Sequence, residues 1–194
     1  MITTEQIKEL RDKTGISIMQ CKKALEEALG DGDKAFIILQ KNSKGTALKK
    51  ASRTLGAGVV QAYIHATGTV GAMVELSCET DFVAKNEDFK ALAYDIAMHI
   101  AATAPEFLKK EDIPTDAKEK ASEIFVKEVE GKPEDLKEKI LEGKLSAYFA
   151  ERILLEQPFI KDATIKISDM LERAVQKFGE KTEITQFARF SISK

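Results

Sequence analysis

The spacing of apolar residues changes partway along this chain, and that change constrains the fold more than any other feature. Through Leu39 the apolar residues return every three or four positions, the repeat of one helix face. From Val59 to Cys78 they return every second position, the repeat of a strand with one buried side. Separate helical and strand blocks within 194 residues predict an α+β fold, with enough chain to bury a core without disulfides or a structural metal.

The helical block divides into three. Thr3 and Gln6 form a capping-box pattern ahead of Ile7 and Leu10, and Gly15 stops the run. Ser17 and Gln20 repeat the pattern ahead of Cys21, Ala24, Leu25 and Ala28, with Gly30 as the stop. Asp33 opens a third helix through Phe36, Ile37 and Leu39, predicted to end near Gly45. A small three-helix domain is expected over residues 1–45, then a connector over 46–55 carrying Lys49, Lys50 and Arg53, then a core over 56–194.

Within the core, Val59–Ile64 and Ala72–Leu76 around Thr67-Gly68-Thr69 read as a hairpin. Phe89, Leu92, Ala93, Ile96, Ala97 and Ile100 share a helix face that covers it, stopped by Pro105. Residues 116–152, dense in Lys and Glu, read as a helical hairpin broken at Gly131-Lys132-Pro133. Its narrow apolar seam runs through Ala121, Ile124, Phe125, Val129, Leu136, Ile140, Leu145 and Phe149. A last helix through Ile167, Met170, Leu171, Ala174, Val175 and Phe178 stops at Gly179. The closing stretch, 183–192, reads as a strand that joins the hairpin in a small antiparallel sheet, with Ile184, Phe190 and Ile192 on one face.

Lys and Arg number 30 against 32 Asp and Glu, a net charge of -2, so no overall basic field gathers nucleic acid, and no specific nucleic-acid partner is expected. No apolar run approaches the roughly 18 residues of a membrane span, and the start Met-Ile-Thr-Thr-Glu lacks the basic and apolar regions of a signal peptide. Cys21 and Cys78 are far apart and outside any metal or redox spacing, which suits a reducing compartment. A soluble, cytoplasmic protein is expected.

No motif anchors an enzyme. No set of carboxylates or thiolates gathers around His65 or His99, so neither a metal nor a cofactor is expected, and His99 on its apolar helix face reads as a packing residue. Gly56-Ala57-Gly58 lacks the third glycine of a dinucleotide loop and precedes a strand, where a phosphate site needs a helix N-terminus. Lys22 and Lys23, next to Cys21 on a helix, point away from it, and both cysteines read as small buried hydrophobes.

The heptapeptide Thr80-Asp81-Phe82-Val83-Ala84-Lys85-Asn86 joins the hairpin to its covering helix. Phe82 lies seven residues before Phe89, so periodicity alone would bury it on the same face. The heptapeptide, preceded by Glu75-Leu76-Ser77-Cys78-Glu79, resembles the signature of the elongation factor Ts family. Three further blocks resemble that family in its own order: Leu10-Arg11-Asp12-Lys13-Thr14-Gly15 through Cys21-Lys22-Lys23-Ala24-Leu25, then Ala97-Met98-His99-Ile100-Ala101-Ala102, then Leu154-Leu155-Glu156-Gln157-Pro158-Phe159-Ile160-Lys161-Asp162. The chain is similar to the short form of the family.

That resemblance implies an α+β fold with an N-terminal three-helix, ubiquitin-associated-like bundle. A core follows, with a small antiparallel sheet covered by helices and a helical hairpin. It also implies a guanine-nucleotide exchange factor that binds elongation factor Tu carrying GDP, disturbs its magnesium and phosphate site, and promotes GDP release so that GTP can bind. No covalent chemistry and no nucleotide site of the chain's own are implied. By carry-over Asp81 and Phe82, flanked by Thr80 and Val83, push into the partner's nucleotide domain, so an exposed Phe82 ring is expected.

A second contact with the same partner maps to Gly15, Ile18, Met19, Lys22 and Lys23; on pattern alone, Ile18 and Met19 are bundle core and the lysines solvated. The chain departs from the family at Ile16-Ser17-Ile18 and Gln20, where Ala-Gly-Met and Asp are commoner. It departs again at Gln186, a commonly basic position, and in ending Ser191-Ile192-Ser193-Lys194 without the usual glycine. A homodimer or a two-plus-two assembly with elongation factor Tu is implied as well. Two binding modules compete with this reading, with an enzyme third. One docks another helical partner and does not require Asp81 and Phe82 together; the other binds nucleic acid through Lys49, Lys50 and Arg53 but lacks interleaved aromatics for base stacking.

Overall fold

Three helices open the chain, each started by a side chain that satisfies a free backbone N–H. The computed structural model describes residues 2–129 and 133–192. At α1 (Thr4–Thr14), Thr3 Oγ1 accepts from Gln6 N at 3.2 Å and Gln6 Oε1 accepts from Thr3 N at 2.9 Å, and Gly15 closes the helix at φ 67°. Ser17 caps α2 (Ile18–Glu27) through Gln20 N. Asp31, rather than Asp33, starts α3 (Gly32–Lys50), its carboxylate accepting from Lys34 N at 3.0 Å. Asp33 sits in the first turn, where its charge suits the helix dipole. Leu10, Ile16, Cys21, Ala24, Leu25, Ala35 and Leu39 are buried together among the three helices.

Helix α3 continues past Gly45, where the sequence predicts its end. Gly45 does not take the left-handed φ that closes α1, and nothing else there stops the helix. The roughly 1 kcal/mol that a helical glycine costs is offset by packing on the last helix of the chain. Buried Ser43 hydrogen-bonds Gln176, and Lys50 Nζ donates to Gly179 O at 2.7 Å.

The strand block forms β1 (Ala57–Ile64) and β2 (Val70–Cys78), an antiparallel pair. A single helical turn, α4 (Asp81–Ala84), leads to α5 (Glu87–Thr103), which ends before Pro105. Phe89, Ala93, Ile96, Ala97 and Ile100 of α5 are buried in one cluster with Val74 and Leu76 of β2. The covering helix is therefore where periodicity places it.

Helices α6 (Thr115–Glu128) and α7 (Glu134–Ala150) form the helical pair, around a small core of Ile113, Ala121, Phe149 and Ile153 backed by Phe125 and Leu145. Ile124 and Leu136, expected in that seam, are about half exposed; on α6, Ala121 and Phe125 occupy the inward positions one turn apart and turn Ile124 outward. The expected break at Gly131-Lys132 lies outside the described residues, as do Met1, Ser193 and Lys194.

A short ribbon of β3 (Pro158–Phe159) and β4 (Asp162–Lys166) precedes α8 (Ile167–Phe178), which buries Ile167, Leu171, Ala174 and Val175 and ends at Gly179 with φ 71°. Strand β5 (Glu183–Ser191) then pairs antiparallel with β2, giving the sheet order β1-β2-β5. The expected shared face of Ile184, Phe190 and Ile192 does not form. Leu76 pairs with Ile184 but Glu75 with Gln186, so Thr185 is the extra residue of a bulge. One extra residue turns every later side chain to the other face. Ile184 is buried, whereas Phe190 and Ile192 stand in solvent.

Candidate partner-binding site

The heptapeptide is a turn fixed from both sides. A single helical turn cannot stabilise itself, so α4 depends on its surroundings. Strand β2 delivers Cys78, whose buried thiol donates to Thr80 O at 3.2 Å. Thr80 is extended, at φ -129° and ψ 158°, and α4 begins behind it. Ala84 is buried and Val83 packs against the main core. Asn86 Oδ1 accepts from Asp88 N at 2.8 Å and starts α5.

On the other side, the Glu180 carboxylate accepts from Glu79 N at 3.1 Å, Thr80 N at 2.9 Å and Thr80 Oγ1 at 2.6 Å. The Glu79 carboxylate accepts in turn from Lys181 N at 2.6 Å and Arg53 Nη1 at 3.2 Å. The Lys181 N–H first, and then Arg53, hold the Glu79 carboxyl below the usual carboxylate range.

Phe82 is 84% exposed on this turn. The spacing of seven to Phe89 does not bury it, because Asn86, at φ -67° and ψ 131°, breaks the helix between them. Val83 and Ala84 take the inward directions of α4, which leaves Asp81 and Phe82 facing out. Asp81 Oδ2 lies 2.5 Å from Lys85 Nζ. That hydrogen bond, and then the Lys85 charge, keep the Asp81 carboxyl below its ordinary range. Both partners are well exposed, so the pair is one that a competing charge can displace.

The second predicted group is exposed too. Ile18 and Met19 stand 56% and 83% exposed at the start of α2, while Ile16 fills the bundle core in their place. Lys22 sits 3.8 Å from Glu26, one turn on, and Lys23 is exposed. A Cβ at Gly15 would lie 3.8 Å from Lys177 Nζ, and Lys177 pairs with Asp88 of α5 at 2.8 Å. The Lys177 side chain of α8 thus lies between the turn after α1 and the first turn of α5.

His99 is fully buried, with Nε2 2.8 Å from Gln157 Oε1 and Nδ1 without a partner among the described residues. Burial pushes its pKa down. His65 lies just beyond β1, beside Tyr63 OH at 3.0 Å. Among the described residues no group of three His, Cys, Asp or Glu could hold a metal ion, and no helix is long and apolar enough to cross a membrane. Sequence reasoning missed Glu79, Glu180 and the Arg53 contact. Glu180 is about a hundred positions from Thr80, and only the glycine stop before it hints at a turn there.

The family model described as Elongation factor TS matches residues 46–194. The chain is 48% identical to Elongation factor Ts of Carboxydothermus hydrogenoformans, over all of this chain and 90% of that protein. It is 49% identical to Elongation factor Ts of Thermodesulfovibrio yellowstonii, over all of this chain and 97% of that protein. With Elongation factor Ts of Thermosipho melanesiensis it shares 45% identity over the whole of both chains.

Proposed function

This chain belongs to the elongation factor Ts family, and from that premise we propose that the exposed Asp81 and Phe82 pair opens the nucleotide site of elongation factor Tu. The chain is a guanine-nucleotide exchange factor for elongation factor Tu, acting in the cytoplasm without covalent chemistry of its own. The observation that carries the proposal is an aromatic ring 84% exposed on a turn braced at both ends. A ring that leaves water for a gap between two partner helices gains roughly 1.5–3 kcal/mol. Parting those helices displaces the groups that hold magnesium, and GDP loses its counter-charge. By reciprocity GDP weakens the exchange factor's hold equally, so incoming nucleotide releases it.

Thr80 and Val83 frame the pair, one on each side of the exposed residues. Ile18 and Met19, with Gly15, Lys22 and Lys23, make the second contact on the same partner; two large apolar side chains exposed on one helical turn support it. Release of labelled GDP from elongation factor Tu tests the proposal, with Asp81→Ala and Phe82→Ala both expected to slow it. Wild-type rates from both variants would overturn it.

Two copies are proposed to pair through the solvent face of the sheet. Val60, Ile64, Met73, Phe190 and Ile192 on or beside that sheet are between 45% and 79% exposed. An apolar face of this kind favours self-association, and two-fold pairing sets the patch against itself. Sedimentation should give the mass of two chains for the wild type and of one for Phe190→Glu. A monomeric wild type at micromolar concentration would overturn this pairing.

A further inference from the structure

We propose that Glu180 is a positioning residue for nucleotide exchange, holding Thr80 so that Asp81 and Phe82 face outward in the orientation that insertion requires. The proposal rests on the reading that Asp81 and Phe82 open the partner's site. Thr80 is the N-cap residue of α4, yet its side chain makes no capping bond to that helix. Its hydroxyl donates to Glu180 Oε1 at 2.6 Å, while Glu180 Oε2 takes the N–H groups of Thr80 and Glu79 at 2.9 and 3.1 Å. The start of α4 is therefore oriented from outside, by one carboxylate on the opposite side of the sequence.

Glu180 is itself well placed to do this. Gly179 ends α8 at φ 71° with its N–H on Val175 O at 3.0 Å, and Lys50 Nζ donates to Gly179 O at 2.7 Å. Lys181 N returns a bond to the Glu79 carboxylate at 2.6 Å. Residues 79–80 and 180–181 thus exchange backbone N–H groups and carboxylates in both directions. Charge-assisted hydrogen bonds of this kind are short and directional, so they fix an angle as well as a distance.

A residue that merely braces the fold would lower stability and weaken partner binding. A positioning residue lowers the rate of the step that needs the orientation, and only while the oriented groups are present. The full chain is titrated against elongation factor Tu loaded with a fluorescent GDP, and the release rate is followed to saturation. Glu180→Ala should lower the maximal rate about tenfold while the half-saturating concentration stays within about twofold. Glu180→Gln should restore most of the rate, because its amide oxygen can take the two backbone N–H groups and its amide nitrogen can donate to Thr80 Oγ1. In an Asp81→Ala, Phe82→Ala background, Glu180→Ala should add nothing.

The proposal is overturned if Phe82→Ala is slow while Glu180→Ala keeps the wild-type maximal rate, or if Glu180→Ala costs the same factor in both backgrounds. Glu180→Gln as slow as Glu180→Ala would overturn it as well. A slow Glu180→Ala beside a Phe82→Ala of wild-type rate would sink the underlying reading and, with it, this route for Glu180. Should Glu180→Ala fail to fold, Thr80→Val removes the hydroxyl contact alone and must show the same split between rate and half-saturation.

Discussion

Replacing Phe82 and Phe89 by alanine, one at a time, separates what the turn does from what it rests on. Phe89 is fully buried in the main core, its ring meeting Phe178 edge-on at 5.7 Å. Truncation there loses the transfer energy and leaves a cavity, together roughly 3–5 kcal/mol. At about 2–4 °C per kcal/mol for a chain of this size, the melting temperature should fall by about 10 °C. Phe82 lies outside that core and is 84% exposed, so its truncation should change folding by less than about 0.5 kcal/mol. On the proposed reading its loss belongs to the complex, where 1.5–3 kcal/mol of ring burial corresponds to roughly ten- to hundredfold slower exchange. Thermal unfolding followed by circular dichroism and labelled-GDP release from elongation factor Tu measure the two effects separately. A Phe82→Ala melting temperature as low as that of Phe89→Ala would mean that the ring packs on the fold in solution and is not free to insert elsewhere.

Gly58→Ala should destabilise the sheet by more than about 1 kcal/mol, because a Cβ there would stand 2.6 Å from Leu76 O and 3.0 Å from Ser77 Cα, both backbone atoms of β2. An unchanged denaturant midpoint would contradict the register that pairs Gly58 with Ser77. Burial holds the His99 pKa below its ordinary 6.5, so the folded imidazole takes up its second proton only at a lower pH than the unfolded one does. The unfolded chain takes up that proton first as pH falls through 6.5, so stability is full above 6.5 and declines below it until the folded pKa is passed. His99→Leu should flatten that limb of a stability–pH curve, and an identical slope would exclude His99 as its source. Lys85→Met should let the Asp81 carboxyl rise toward its ordinary range, read by a nuclear magnetic resonance titration of Asp81; no movement would mean that Lys85 is not what holds it down.

The legible parts of this fold are those written in neighbouring residues. Thr3 with Gln6, Gly15, Ser17 and Gly179 act within one turn of themselves, so their helix ends follow from the sequence. The face of α5 is legible for the same reason, since Phe89, Ala93, Ile96 and Ile100 repeat at helical spacing. Gly45 misleads because contacts to Gln176 and Gly179, from the far end of the chain, carry α3 through it. Thr185 misleads because a bulge leaves no mark in the alternation except the side chains it displaces. At the site, exposure of Phe82 runs against its own periodicity and is expected only from the family resemblance. Glu180 is invisible in sequence because a carboxylate meeting two backbone N–H groups is a tertiary event with no local spacing.

The role proposed for Phe82 in exchange needs more than exposure. Contacts shift an equilibrium only by being stronger in one state than in the other. A mobile ring could settle on the partner's surface with nucleotide bound or absent, and such contact would favour neither state. On the proposed reading, a ring carried on a fixed turn meets its gap only when the partner's helices have parted, so its binding energy accrues to the open state. Fixing it beforehand also spares the ordering entropy that association would otherwise cost. Apolar packing would achieve the fixing by covering the ring, which defeats the purpose. The turn is instead held at its base, by buried Ala84 and half-buried Val83 from beneath and by the Glu180 and Asn86 hydrogen bonds at its two ends. Directional bonds at the base and an uncovered side chain at the tip are the combination that the proposed wedge requires of the four residues of α4.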